Sequence, residues 1–135
     1  MADLRFVKLT DTVAASPQVL PSDMQAIADE GFKVVINNRP DAEAPDQPAS
    51  DAIAAAAAAA GLAYHHYPLN AFNYPGDDIE RMRELFDDDE APVFAFCRSG
   101  TRSANLWISS RPAGERDAAR QRAAQLGFDV TMSLR

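Results

Sequence analysis

Val93-Phe94-Ala95-Phe96-Cys97-Arg98-Ser99-Gly100-Thr101-Arg102-Ser103 decides how this chain is read. The apolar run Val93 to Phe96 predicts a short buried strand, Cys97 stands at its end, and Gly100 permits a tight turn. Helical spacing then resumes from Ser103 to Ser109 through Leu106 and Trp107. A cysteine in this place lies between a strand end and the positive end of a helix, where free backbone N–H groups converge on anions. The thiolate is the nucleophilic form of cysteine, so Cys97 is the candidate catalytic nucleophile. Arg102 can return from the helix start to hold an anion beside it. Arg98, Ser99, Gly100 and Thr101 form the turn whose amides would bind substrate. Ser103 is expected to cap the helix or to donate a hydrogen bond to the sulfur. The plainer alternative is that Cys97 is a small buried hydrophobe. The glycine three residues on and the arginine five residues on favour chemistry.

Upstream, Arg5 to Leu9 reads as a short strand, Asp11 to Pro17 as turn material, and Pro21 to Glu30 as a helix stopped by Gly31. Phe32 to Ile36 suits a strand buried on both faces, ending at Asn37-Asn38-Arg39-Pro40. An acidic, proline-punctuated loop follows from Pro40 to Pro48, then a helix capped by Ser50 that runs through the alanines to Ala60 and closes at Gly61. Leu62 to Tyr67 predicts a second inner strand. Asp77 or Asp78 caps a helix with Ile79, Met82, Leu85 and Phe86 as its buried stripe, and Asp87 to Glu90 marks where that helix has ended. Glu115 to Leu126 is the last helix. Strands alternating with helices predict an α/β fold, a three-layer, mostly parallel sheet flanked by helices, within a single domain over 1–135. Ligands bind such sheets outside the carboxyl ends of the strands. Asn37 to Pro40, Pro68 to Gly76 and Cys97 to Arg102 all fall there. Arg39 and Asn70 are therefore further substrate-binding candidates, with Asn37 and Asn38 beside Arg39, and Phe72 and Tyr74 either wall the pocket or pack onto the body.

The chain has 135 residues, 47% of them hydrophobic, a formal charge of -7 and one cysteine. A lone cysteine excludes a disulfide scaffold and suits a reducing compartment. The acidic surplus argues against nucleic acid and anionic membranes as partners, though not against one small anion. The start of the chain lacks the basic and apolar regions of a secretory signal, so a cytoplasmic location is expected. Ala52 to Ala63 is too short to span a bilayer. His65 and His66 are adjacent and would face opposite sides of a strand, so neither a metal nor another cofactor is expected.

The string Cys97-Arg98-Ser99-Gly100-Thr101-Arg102 resembles the active-site loop of single-domain rhodaneses, which are sulfurtransferases. Over Pro17 to Trp107 the chain resembles the phosphatase-like domain of the beta-lactamase-hydrolase-like protein family. Gly31-Phe32-Lys33-Val34-Val35-Ile36-Asn37-Asn38-Arg39-Pro40-Asp41 and Phe96 to Ser103 carry that match. The resemblance implies a protein tyrosine phosphatase-like fold and a pocket role for Arg39. Some members are fused to persulfide-processing enzymes, which implies such an enzyme as partner, and others are described as dual-specificity phosphatase-like.

Three departures from the phosphatase pattern bear on the reaction. Cysteine phosphatases place five residues between nucleophile and arginine, whereas Cys97 and Arg102 enclose four. Phe96 stands where those enzymes tend to have histidine. Their general acid is an aspartate in the loop after the preceding strand, and Pro68-Leu69-Asn70-Ala71 holds no carboxylate. Sulfur transfer between thiols needs no strong acid. The expected function is sulfur transfer through a Cys97 persulfide, from a small anionic donor to a thiol acceptor. One alternative is a phosphatase working through a phosphocysteine with Asp77 or Asp78 as acid. The other is a module that binds an anion or persulfide without turnover.

Overall fold

The computed structural model describes residues 4–135. Met1 to Asp3, part of the stretch searched above for a secretory signal, lie outside the described residues. The centre of the molecule is the strand that precedes Cys97, and its alternation explains the layers. Val93 and Ala95 point into one apolar cluster while Phe94 and Phe96 point into another, so both faces of the sheet must be covered.

Five strands stand in the order β1-β2-β5-β3-β4: β1 (Val7–Lys8), β2 (Val13–Ser16), β3 (Val34–Asn37), β4 (Ala63–His66) and β5 (Val93–Phe96). Only β1 is antiparallel, to β2. β2 and β3 flank β5 in parallel, and β4 runs parallel to β3. One face is closed by α1 (Met24–Asp29) and α2 (Ser50–Ala59), which contribute Met24, Ile27, Ile53 and Ala57 to the cluster around Phe94. Phe6, Phe32 and Phe94 meet there edge to face, with ring centroids 5.3–5.8 Å apart. The opposite face is closed by α3 (Ile79–Asp87), α4 (Thr101–Ser109) and α5 (Arg116–Gln125), through Met82, Phe86, Leu106, Ile108, Ala119 and Ala123. No described helix is long and apolar enough to cross a membrane.

The mostly parallel three-layer α/β architecture agrees with the expectation, and several local readings need correction. Val13–Ser16, expected as turn material, is a fully buried strand. Its alanines and serine carry little β-propensity, and pairing with β5 decides its conformation. The strand expected over Leu62 to Tyr67 forms as Ala63–His66, but at the sheet edge, with Ala63 and His66 exposed. The first helix is split into a 3-10 turn, Pro21–Asp23, and α1. Ser50 begins α2 instead of capping it. Its N–H donates to Asp41 Oδ1 at 2.8 Å, and its hydroxyl pairs with the Tyr64 hydroxyl at 2.6 Å. Asp78 is the cap of α3 and accepts the Arg81 N–H. A closing 3-10 turn at Thr131–Leu134 had no sequence signal.

Because β2, β5 and β3 run in parallel, their carboxyl ends share one edge. β5 sits between two strands that are not its sequence neighbours, so the chain crosses over there and leaves a crevice. The segments after these three strands build the site, joined by the loop after β4.

Candidate active site

Cys97 follows β5 directly and is fully buried. Its N–H donates to the Ser16 carbonyl at 3.3 Å, and on the other side Asn38 N–H donates to the Phe96 carbonyl at 2.8 Å. The strand ladder thus fixes the backbone of the candidate nucleophile up to the last residue. Gly100 then takes a left-handed conformation, φ 94°, and serves as the N-cap of α4. That turn brings the Gly100 N–H to Cys97 Sγ at 3.1 Å. It also presses the loop against its surroundings: a Cβ at Gly100 would lie 3.3 Å from the Phe128 ring and 3.4 Å from the Ser16 backbone. The first N–H groups of α4, at Thr101, Arg102 and Ser103, have no helical acceptors. They belong to the same turn as the sulfur.

Arg102 projects from the first turn of α4. Its Nη1 donates to Glu43 Oε2 at 2.7 Å and to the Leu69 carbonyl at 2.9 Å, and Nη2 donates to Glu43 Oε1 at 2.9 Å. Of the five N–H groups a guanidinium carries, this leaves Nε–H and one on Nη2, which form a two-donor edge. Its pKa is raised, chiefly by the Glu43 hydrogen bonds against the opposing cost of burial, with further contributions from Cys97. Glu43 reaches in from the surface, its side chain 28% exposed, and also accepts Arg39 Nε–H at 3.0 Å. Arg102 is the main reason its carboxyl is held below the usual range. Burial opposes this, and Arg39 adds to the lowering.

Arg39 is buried, and its Nη1 donates to Gln18 Oε1 at 3.0 Å, tying the end of β3 to the segment after β2. Asn37 accepts the Arg39 N–H, and His66 Nε2 lies 2.9 Å from the Arg39 carbonyl. Asn38, fully buried, donates to the Tyr67 carbonyl and accepts the Ser103 hydroxyl at 2.8 Å. Ser103 therefore neither caps α4 nor bonds the sulfur, because its hydroxyl points across to β3. Arg39 and Ser103 join the site through its supports.

The remaining candidates divide. Thr101 accepts the Ser99 hydroxyl at 3.1 Å, Ser99 and Arg98 are exposed, and the Arg98 carbonyl accepts the Gln18 N–H. Asn70 is exposed, and its Oδ1 is occupied within its own loop by the N–H groups of Phe72 and Asn73. Its neighbour Leu69, through a backbone carbonyl, is the contact that loop makes with Arg102. Tyr74 is buried and donates to the Asn105 carbonyl. It lies 2.6 Å from the Ser109 hydroxyl, and burial pushes its pKa to about 12. Phe72 points fully into solvent. Glu43 is the residue of this cluster that the sequence did not single out. Its signal was a carboxylate four residues past Arg39, in a loop leaving a strand end already suspected of lining the pocket.

A buried cysteine on a strand-to-helix turn, next to an arginine at the helix start, defines a cysteine-centred, phosphatase-like α/β domain. The chain belongs to the beta-lactamase hydrolase-like protein, phosphatase-like domain family, whose profile matches residues 3–115. It is 33% identical over 130 residues to a beta-lactamase hydrolase-like protein of Xylella fastidiosa, covering 94% of this chain and 30% of that one. The chain spans only 24–30% of the length of the curated relatives it matches. A Neisseria meningitidis protein described as a candidate phosphatase has 35% identity and a TM-score of 0.69, with 87% of each chain covered. Tk-PTP in its active form superimposes with a TM-score of 0.70 at 17% identity, covering 96% of this chain and 90% of that one, which speaks to fold alone. The fold is protein tyrosine phosphatase-like, and family and fold together support an enzyme of the cysteine-based, phosphatase-like type.

Proposed function

We propose that this domain transfers sulfane sulfur through Cys97. The Cys97 thiolate attacks the outer sulfur of a donor such as thiosulfate. The new S–S bond forms as the old one breaks, and sulfite leaves with its electron pair. A thiolate acceptor then takes the outer sulfur from the Cys97 persulfide and releases the Cys97 thiolate, so no oxidant is consumed. The Gly100 N–H supports charge on the sulfur, and the free edge of Arg102 orients the anionic donor.

The observation that carries this reading is the state of the carboxylates. Expelling an alkoxide needs an acid. Glu43, bonded to the arginine, is held ionised by Arg102 and Arg39. Asp78 is spent on capping α3, and the loop from Pro68 to Gly76 has no carboxylate. Sulfur leaving groups need none. A persulfide-processing enzyme is the partner this chemistry calls for, consistent with relatives a little over three times as long as this chain.

The second reading is a phosphatase, favoured by the family and by the shared fold. It requires Cys97 to form a phosphocysteine and Asp77 or Asp78 to swing in as acid. Intact-mass measurement separates the two. Protein given thiosulfate or a persulfide should gain one sulfur atom, and Cys97→Ser should gain none. An unchanged mass with several donors, together with turnover of an aryl phosphate, would establish the phosphatase instead.

A further inference from the structure

The charges around Cys97 bear on which donor the site accepts. Arg39 and Arg102 bring two positive charges, and Glu43 sets one negative charge on both, through contacts of 3.0, 2.7 and 2.9 Å. His66 faces the Arg39 carbonyl, and Asp41 is turned to the start of α2. Arg98 is exposed, where solvent and salt blunt its charge. One net positive charge remains on these three side chains, of which Arg102 is the one coupled to Cys97, with a fraction added by the start of α4. A Cys97 thiolate or a Cys97 persulfide anion consumes it.

Glu43 also occupies the end of the Arg102 guanidinium, leaving a single two-donor edge. A dianion at that edge would face the Glu43 carboxylate across one guanidinium, with no further positive charge to meet it. A singly charged group would not exceed what the edge can balance.

We propose that Glu43 is a specificity-determining residue that makes the site prefer sulfane-sulfur donors with one negative charge, such as organic thiosulfonates and persulfides, over dianions such as thiosulfate or a phosphate ester. The donor class rests on the sulfur-transfer reading, whereas the charge balance at the Arg102 edge holds for any anion. With a thiosulfonate, the Cys97 thiolate attacks the outer sulfur, the Cys97 S–S bond forms, and the donor's S–S bond breaks. The sulfinate leaves with the electron pair, and no proton is needed.

The test compares benzenethiosulfonate with thiosulfate, which differ by one charge at the same reacting sulfur. The full chain should show a higher kcat/KM for benzenethiosulfonate. Glu43→Gln should move the ratio toward thiosulfate by about tenfold, mainly through KM, while Glu43→Asp, which keeps the charge, stays near the wild type. A wild type that uses both donors equally overturns the proposal without any variant, and so does an unmoved ratio in Glu43→Gln. A second arm needs no turnover. It measures protection of Cys97 from alkylation by sulfate against methanesulfonate, and Glu43→Gln should raise the relative protection by sulfate by a similar factor. If no donor adds sulfur to Cys97 while this protection shifts, sulfur transfer falls and the charge filter stands. If sulfur is added and neither ratio moves, the filter falls and sulfur transfer stands.

Discussion

The loop after β5 and the loop after β3 both reach Arg102, by opposite means. From Cys97 to Arg102 the geometry is made locally. Gly100 turns, its N–H meets the sulfur three residues back, and α4 begins. From Arg39 to Ala49 the geometry is made at a distance, with Glu43 bonded to an arginine 59 positions away and Asp41 holding the start of α2. The first loop carries the candidate nucleophile and the turn around its sulfur, and the second places a carboxylate on the arginine. The proposed reactivity therefore rests on a short motif, while the proposed charge preference rests on tertiary structure.

Arg102 is where the two loops meet, so its replacement should have the largest effect. Arg102→Lys keeps the positive charge and loses the fork that bonds both Glu43 oxygens and the Leu69 carbonyl, and with it the two-donor edge proposed to hold a donor anion. Sulfur addition to Cys97, followed by intact mass over time, should slow by about 100-fold or more. A lysine variant that keeps the rate would mean that charge alone suffices and that the two loops need not meet at one planar group.

The contrast between the loops also governs what could be read in advance. β5, Cys97, Gly100 and the start of α4 were legible because strand, turn and helix follow one another in one short stretch. Arg39 was suspected because it follows a strand end. Glu43 was not legible, since nothing near it in sequence shows that Arg102 folds back to it. Nor was β2, where Val13-Ala14-Ala15-Ser16 becomes a strand by pairing with β5 on one side and β1 on the other. The edge position of β4 was missed for a related reason, because periodicity identifies a strand without its place in the sheet. The acceptor of the Ser103 hydroxyl is not legible locally, because Asn38 follows β3, 65 positions away.

The local plan is tested at Gly100. A side chain there would have to hold φ 94° and fit 3.3 Å from Phe128 and 3.4 Å from the Ser16 backbone. Gly100→Ala should cost about 1–2 kcal/mol, seen as a lowered thermal midpoint, and should slow alkylation of Cys97 as its supporting N–H shifts. An unchanged midpoint would show that the loop yields easily and that the turn is not what places the sulfur.

The distant plan is tested at Ala42, where the expected change is smaller and opposite in sign. Ala42 is exposed and holds φ 63°, the one positive φ outside glycine among the described residues. An L side chain in that region is unfavourable by about 1–2 kcal/mol. Glycine removes the strain but brings a more flexible unfolded chain, so Ala42→Gly should raise stability by only about 0.5–1 kcal/mol. Because Ala42 sits next to Glu43 and touches no donor, sulfur addition to Cys97 should keep its rate and its preference between benzenethiosulfonate and thiosulfate. Denaturant melts and the paired donor assay check both. A gain in stability with the preference unchanged would mean that the ion contacts of Glu43 hold the loop against its own backbone. A loss of preference would mean that the strained turn itself aims the carboxylate, making Ala42 as much a part of the charge filter as Gly100 is of the cradle.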